Sequence, residues 1–334
     1  MHPYIQNRRT EIDLGIYPKH HLWGCDAIES NRRWTTQPIN TFKLFIPKIL
    51  EKIINRQFFR ESPGIHVELS TWKASVHYDL IYSVCGPLSL ARFYNRPKFV
   101  SWVFRMPTRS NDHFSPYNEE NLKSHIGFCC LTPKAKLQFS EHALSEFLPW
   151  CVDLKLFDGN ALEAPPAKPF FLASGKTGRD YVTLVKAAYT LEADIRIIGP
   201  VDQRPSILPK NIRWINTSTD PPDKAVNYNT LRKWYAQCVG VCIPLSGDAD
   251  DTCGYTNMLE AMAMAKPVLM TRSGSLHINP EQRGFGKLVN PKDSGDWRSA
   301  MISILNNRED YINKGKEGRR IAQNEFSIKN FNNI

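Results

Sequence analysis

Residues 253–269 read CGYTNMLEAMAMAKPVL. Gly254 precedes the polar residues Tyr255, Thr256 and Asn257. An apolar, helix-forming run then carries one acidic residue, Glu260, before Pro267 and a short strand pattern. The first amides of a helix have no intrahelical partner. The dipole at that end favours anions, so a phosphate is the natural guest. Glu260 lies about one turn in. With Leu259, Met262 and Ala263 turned toward a sheet, Glu260 is expected to project near the helix mouth. A carboxylate there accepts hydrogen bonds from neutral hydroxyls such as those of a ribose. The plainer alternative is a first-turn glutamate that only complements the dipole.

A second cluster stands in ASGKTGRDYVTLVKA, residues 173–187. A strand ends at Gly175, Lys176 follows, and Arg179 lies where the next helix begins. The start of a helix is unfavourable for a cation, so an arginine there points to an anionic ligand more than to a plain surface charge. Gly86, in SVCGPLS, lies where a strand meets a helix. It suits either a plain turn or a close approach of backbone to a ligand.

The elements that must position these residues follow from the apolar pattern. With 334 residues, about two domains are expected. EIDLGIYP (11–18) reads as a short strand followed by the loop KHHLWG, and WTTQPINTF as a weaker strand. Residues 47–59 read as a helix with Ile49, Leu50, Ile53, Ile54 and Phe58 on one side. Lys48, Lys52, Arg56 and Arg60 lie on its polar side. A core helix with a solvated basic face is the simpler reading, and contact with an anionic membrane is the other. YDLIYSV, FVSWVF and IGFCCLT are short apolar runs suited to buried parallel strands. Around 157–169 the prolines Pro165, Pro166 and Pro169 break the pattern. The expected domains are therefore 1–158 and 168–325. In the second, strands at 169–175, 194–200, 211–218, 239–245 and 267–272 alternate with helices, which implies a parallel sheet covered on both faces. Ligands in such sheets bind beyond the carboxyl ends of the strands.

Composition narrows the function class. The net charge of +10 attracts phosphates of some kind. The basic residues are dispersed and no nucleic-acid recognition motif is present, so no nucleic-acid partner is expected. The eight cysteines are scattered, with no Cys-x-x-Cys pair and no zinc-finger spacing, so no metal is expected. No apolar run reaches the roughly 18 residues needed to cross a bilayer. The opening residues lack the apolar middle of a secretory signal. A cytoplasmic protein, peripheral on the inner membrane face if it touches a membrane, is the expectation.

CGYTNMLEAMAMAKPVLMT resembles the C-terminal signature of the retaining nucleotide-sugar glycosyltransferases with the GT-B fold (glycosyl transferases group 1, family four type). That family carries two glutamates separated by seven residues. Glu260 matches the second, whose role in the family is to hold the ribose, and Gly254 matches the glycine that lets backbone approach the diphosphate. The first glutamate falls at position 252, where this chain has Thr252. The segment around Gly175, Lys176 and Arg179 resembles the family's first strand and helix of the C-terminal domain, where basic residues neutralise the diphosphate. LPWCVDLKLFDG (148–159) resembles the end of the N-terminal domain.

The resemblance implies two Rossmann-like α/β domains facing across a cleft. It implies sugar transfer from a nucleotide-diphosphate donor to a saccharide or lipid-linked acceptor, with retention, in polysaccharide or glycolipid synthesis. No cofactor beyond the donor is implied. Lys176, Arg179 and Arg105 are the candidate catalytic residues. Gly175, Thr252, Gly254, Tyr255, Thr256, Asn257 and Glu260 are the candidate nucleotide-binding residues. On the acceptor side it implies the loop with His20, His21 and Gly24, together with Gly86; His113 is the weaker candidate near Arg105. A non-catalytic binding protein on the same fold stays open because of Thr252, as does a sugar-nucleotide epimerase or phosphorylase.

Overall fold

A computed structural model of the chain describes residues 8–31, 33–39, 41–42, 44–59, 62–94, 98–104, 115–159, 166–217, 226–246, 252–272 and 277–333. The chain divides into two compact units. One comprises residues 1–10 and 21–149, the other residues 11–20 and 150–334. The segment 150–159 thus folds with the second unit.

The first unit holds a four-stranded parallel sheet in the order β1 (Leu80–Ser83), β2 (Lys98–Val103), β3 (His125–Cys130), β4 (Leu144–Phe147). Its helices are α2 (Cys25–Ser30), α3 (Lys48–Phe58), α4 (Ile65–Ser75), α5 (Glu119–Lys123) and α6 (Pro133–Phe139); α1 (Arg9–Asp13) precedes them in the chain. Val103, Leu122, Phe128, Cys130, Ala135 and Phe139 form one buried cluster. Thr132 caps α6 by accepting from the Ala135 amide, and Pro133 follows at its first turn.

Three expectations for the N-terminal part of the chain are corrected. EIDLGIYP is not a strand: Arg9–Asp13 is helical, and the turn closes through Gly15 at φ 68° with bonds from Gly15 N to Ile12 O and from Ile16 N to Glu11 O. Leu14 and Ile16 point to solvent and burial is confined to Tyr17 and Pro18 at its end, so no alternating buried face holds the segment extended. WTTQPINTF forms no strand over its described residues. Finally, α3 is not a core helix: none of its residues is buried. Arg60 lies outside the described residues.

The second unit is a six-stranded parallel sheet in the order β10-β9-β8-β5-β6-β7. The strands are β5 (Phe170–Ser174), β6 (Asp194–Gly199), β7 (Ile212–Asn216), β8 (Gly240–Ile243), β9 (Val268–Thr271) and β10 (Gly286–Val289). The helices are α7 (Tyr181–Ala188), α8 (Tyr228–Gln237), α9 (Tyr255–Ala263), α10 (Ser294–Asn306), α11 (Arg308–Glu325) and α12 (Ile328–Asn332). Counted from β5, this is the doubly wound order 3-2-1-4-5-6, with its direction of winding reversing between β5 and β8. Every residue of β5, β8 and β9 is buried, which explains their unbroken apolar runs. Tyr181, Leu184, Val185 and Ala188 of α7 and Trp297, Ala300, Met301 and Ile304 of α10 pack into one core on this sheet. Burying each large side chain contributes on the order of 1.5–3 kcal/mol. Among the described residues, no helix is long and apolar enough to cross a membrane. No group of three or more His, Cys, Asp or Glu gathers there to hold a metal.

Candidate functional site

The crevice at the winding reversal is bordered by the chain leaving β5 and the chain leaving β8. These two segments hold each other. The amide of Ser246 donates to Gly178 O (2.9 Å), and the amide of Asp180 donates to Pro244 O (3.0 Å). Arg179 and Leu245 form an antiparallel bridge. Gly175 and Gly178 take φ values of 137° and 61°, and this turns the loop sharply into α7. Asp180 caps α7 by accepting from the Thr183 amide (3.0 Å).

Arg179 lies at the centre. Its guanidinium donates to Ser174 O (3.3 Å), Thr177 O (2.8 Å) and Asn257 Oδ1 (2.7 Å). Five N–H donors are available on a guanidinium, so these three bonds do not exhaust it. A Cβ at Gly175 would fall 2.3–2.5 Å from the guanidinium atoms. Gly175 is therefore the floor on which Arg179 rests, and no other residue leaves that room. Asn257 in turn donates to Ser174 Oγ (2.8 Å). Both ends of its amide are occupied, which fixes the plane of the arginine fork. Lys176 is exposed on the same loop, and its carbonyl accepts from Gln203 Nε2 (2.7 Å).

α9 begins after Gly254 (φ 86°), and no side chain caps its N-terminus. Tyr255 N donates to Thr252 O (3.1 Å), so Thr252 serves the entry turn through its backbone. The first turn, with Tyr255, Thr256 and Asn257, brings the positive end of the helix dipole to the residue that already holds Arg179. A Cβ at Gly254 would lie 2.6 Å from Ile243 Cγ2. Gly254→Ala is expected to cost about 2–4 kcal/mol, from left-handed strain and overpacking together. Thermal unfolding would measure it, and a loss below about 0.5 kcal/mol would show that the turn can relax.

Glu260 does not project at the mouth of α9. The helix carries it inward, where it is 3% exposed and accepts from Tyr235 Oη of α8 (2.9 Å). Burial pushes its carboxyl up to about 7, against the lowering effect of bonds from Tyr235 and Asn257. Tyr235 is fully buried, and its hydroxyl is pushed upward by the same burial and by Glu260. Tyr235 is not among the residues singled out by motif. The available signal was helical spacing: Leu231, Tyr235 and Cys238 share one stripe, so a tyrosine there must find a polar group inside.

Further from this cluster, Tyr255 is buried with its hydroxyl 3.4 Å from His277 Nε2. His20 and His21 share one 3-10 turn, Lys19–Leu22, at the boundary between the units, and His20 packs within the second unit. It is buried against Trp150 and Phe157, and its Nδ1 accepts from the Asp153 amide (3.1 Å). His21 and Gly24 belong to the first unit, where Gly24 (φ 75°) starts α2. The loop there is anchored by Tyr82 Oη, which donates to Trp23 O (2.7 Å) and accepts from Trp102 Nε1 (2.6 Å). Gly86 takes φ 97° after β1, and its carbonyl accepts from Ser83 Oγ (2.6 Å). Arg105 and His113 lie outside the described residues. The structure thus gathers Gly175, Arg179, Asn257 and Gly254 around one point and sets Glu260 beneath them, while His21, Gly24 and Gly86 are residues of the first unit.

Residues 179–307 match the family model described as Glycosyl transferases group 1. The matched segment runs from the central arginine through α9 to the end of α10. The whole fold is similar to a glycosyltransferase from Rickettsia africae, at 15% identity and a TM-score of 0.58, over 88% of this chain and 82% of that one. It is similar to sucrose-phosphate synthase from Thermosynechococcus elongatus, at 17% identity and a TM-score of 0.59, over 89% and 79%. It is also similar to Anabaena HepE in complex with UDP, at 13% identity and a TM-score of 0.59, over 80% of each chain. No curated protein matches the chain.

Proposed function

We propose that this chain, a glycosyltransferase by its group 1 domain and GT-B-type fold, moves a sugar from a nucleotide-diphosphate donor to a saccharide or lipid-linked acceptor with retention of configuration. The observation that carries this reading is the placement of Arg179. It is locked over Gly175, at the β5–β8 reversal, beside the uncapped start of α9. Leaving-group departure in such a transfer builds negative charge on the diphosphate. A preorganised guanidinium, Lys176 on the same loop and the α9 amides offset that charge as it develops. Glu260, about one turn beyond Asn257 on α9, is assigned to the ribose hydroxyls. The crystallised complexes of HepE with UDP and with UDP-glucose support a uridine donor as the first to try.

Calorimetric titration of UDP, GDP and ADP into the folded protein tests the proposal. One of the three is expected to bind in the micromolar to millimolar range usual for substrates, and the conjugates of that base then define the donor search. If none binds the folded chain, the transfer reading fails and a non-catalytic role on the same fold takes its place.

A further inference from the structure

Helix α3, Lys48–Phe58, presents its faces the wrong way round for a helix packed on a globular core. Its polar residues hold it to the protein. Asn55 Oδ1 accepts from the Ile65 amide (2.9 Å), and Glu51 pairs with His66 (3.2 Å). Its aliphatic residues turn outward: Ile49 is 78% exposed, Ile53 51% and Leu50 47%. Phe45, just before the helix, is fully exposed, and Phe58 at its end is partly so. Lys48, Lys52 and Arg56, spaced four apart, form a stripe next to Ile49 and Ile53. All three are exposed, and none makes an ion pair among the described residues. Water-exposed aliphatics in one contiguous patch are costly and mark a surface that something else covers.

We infer that the outward face of α3 lies in the interface of an anionic lipid bilayer, with Phe45, Ile49, Leu50 and Ile53 among the acyl chains and Lys48, Lys52 and Arg56 at the phosphates. The cationic stripe decides between occupants. An apolar protein partner needs no row of unpaired cations, whereas a helix lying in a membrane surface combines an apolar face with flanking lysine and arginine. Each such cation contributes roughly a fivefold gain in partitioning to an anionic surface. The inference goes beyond the sugar-transfer reading and does not depend on it, because α3 shares no residue with the nucleotide cluster.

Cosedimentation with vesicles tests it, using phosphatidylcholine alone and phosphatidylcholine with phosphatidylglycerol. The wild-type chain is expected to pellet with the anionic vesicles and to stay in solution with the neutral ones. Ile49→Asn with Ile53→Asn is expected to weaken partitioning by roughly tenfold or more per position. Lys48→Gln with Lys52→Gln and Arg56→Gln is expected to weaken it on the order of 100-fold. These positions are exposed, so circular dichroism and thermal unfolding should match wild type. An Ile53→Trp variant adds a blue shift of emission on adding anionic vesicles. Equal pelleting of wild type and both variants would overturn the inference, as would failure of the wild type to pellet. A concentration-dependent dimer that Ile49→Asn with Ile53→Asn dissociates would assign the face to a second copy of the chain instead. Nucleotide titration of the same variants separates this result from that of the transfer reading, since neither set should change it.

Discussion

Arg179→Ala is expected to lower donor turnover by about 100- to 1000-fold while leaving the fold intact. That range is what removing one preorganised charge-stabilising donor typically costs. The guanidinium is held by Ser174 O, Thr177 O and Asn257 Oδ1, so its orientation is set before any ligand arrives. Lysine should not rescue it. A point charge cannot reproduce a fork that bonds Asn257 and Ser174 at once. Gly175→Ala is expected to approach the same loss, because the added Cβ would meet the guanidinium at 2.3–2.5 Å and displace it. Asn257→Ala should fall between wild type and Arg179→Ala, since it frees the fork without removing its charge. The measurement is nucleotide release from the donor identified by titration, alongside thermal unfolding. Turnover of Arg179→Ala within threefold of wild type would remove Arg179 from the mechanism.

Much of the second unit was legible because its strands are buried on both faces. Runs such as FFLAS and GVCI stand out as unbroken apolar stretches, and the helices between them carry clear stripes. The N-terminal part of the chain was harder to read. EIDLGIYP holds enough aliphatics to suggest a strand, yet its fate depends on whether a partner strand exists, and that is a tertiary fact. α3 has the stripe of a core helix, but periodicity reports only that an apolar face exists and not what it faces. At the site, Arg179 and Gly175 are close in sequence and their relation could be suspected. The Tyr235–Glu260 bond joins two helices 25 residues apart and could not. His20 shows the same limit: beside His21 in sequence, it is packed in the other unit against Phe157.

Glu260→Gln is expected to stabilise the protein above neutral pH and to weaken nucleotide binding at the same time. The carboxyl titrates near 4.5 when unfolded and near 7 when folded, raised by burial. Between those values the folded chain keeps a proton that the unfolded chain has lost. Stability from this group is therefore fully present below about pH 4.5, falls as pH rises to about 7, and stays low above it. The difference amounts to roughly 3 kcal/mol. Glutamine cannot ionise, so the variant escapes that cost, and its carbonyl still accepts from Tyr235. His125 and His277 act in the opposite direction, since burial pushes both down to about 4 and their contributions are lost as pH falls. The wild-type profile alone would blur the two effects. The difference between wild type and Glu260→Gln isolates the carboxyl, and it should grow from pH 5 to pH 7.5 and then flatten. At pH 8 the variant's Tm is expected to be higher by on the order of 5–10 °C. If the carboxylate holds the ribose, the same variant should bind nucleotide about tenfold more weakly, because bonds to a charged acceptor are lost. A more stable protein that binds less well is the signature of a buried charge kept for a ligand. Unchanged affinity together with raised stability would instead leave Glu260 as an internal partner of Tyr235 and move ribose recognition to another residue at the mouth of α9.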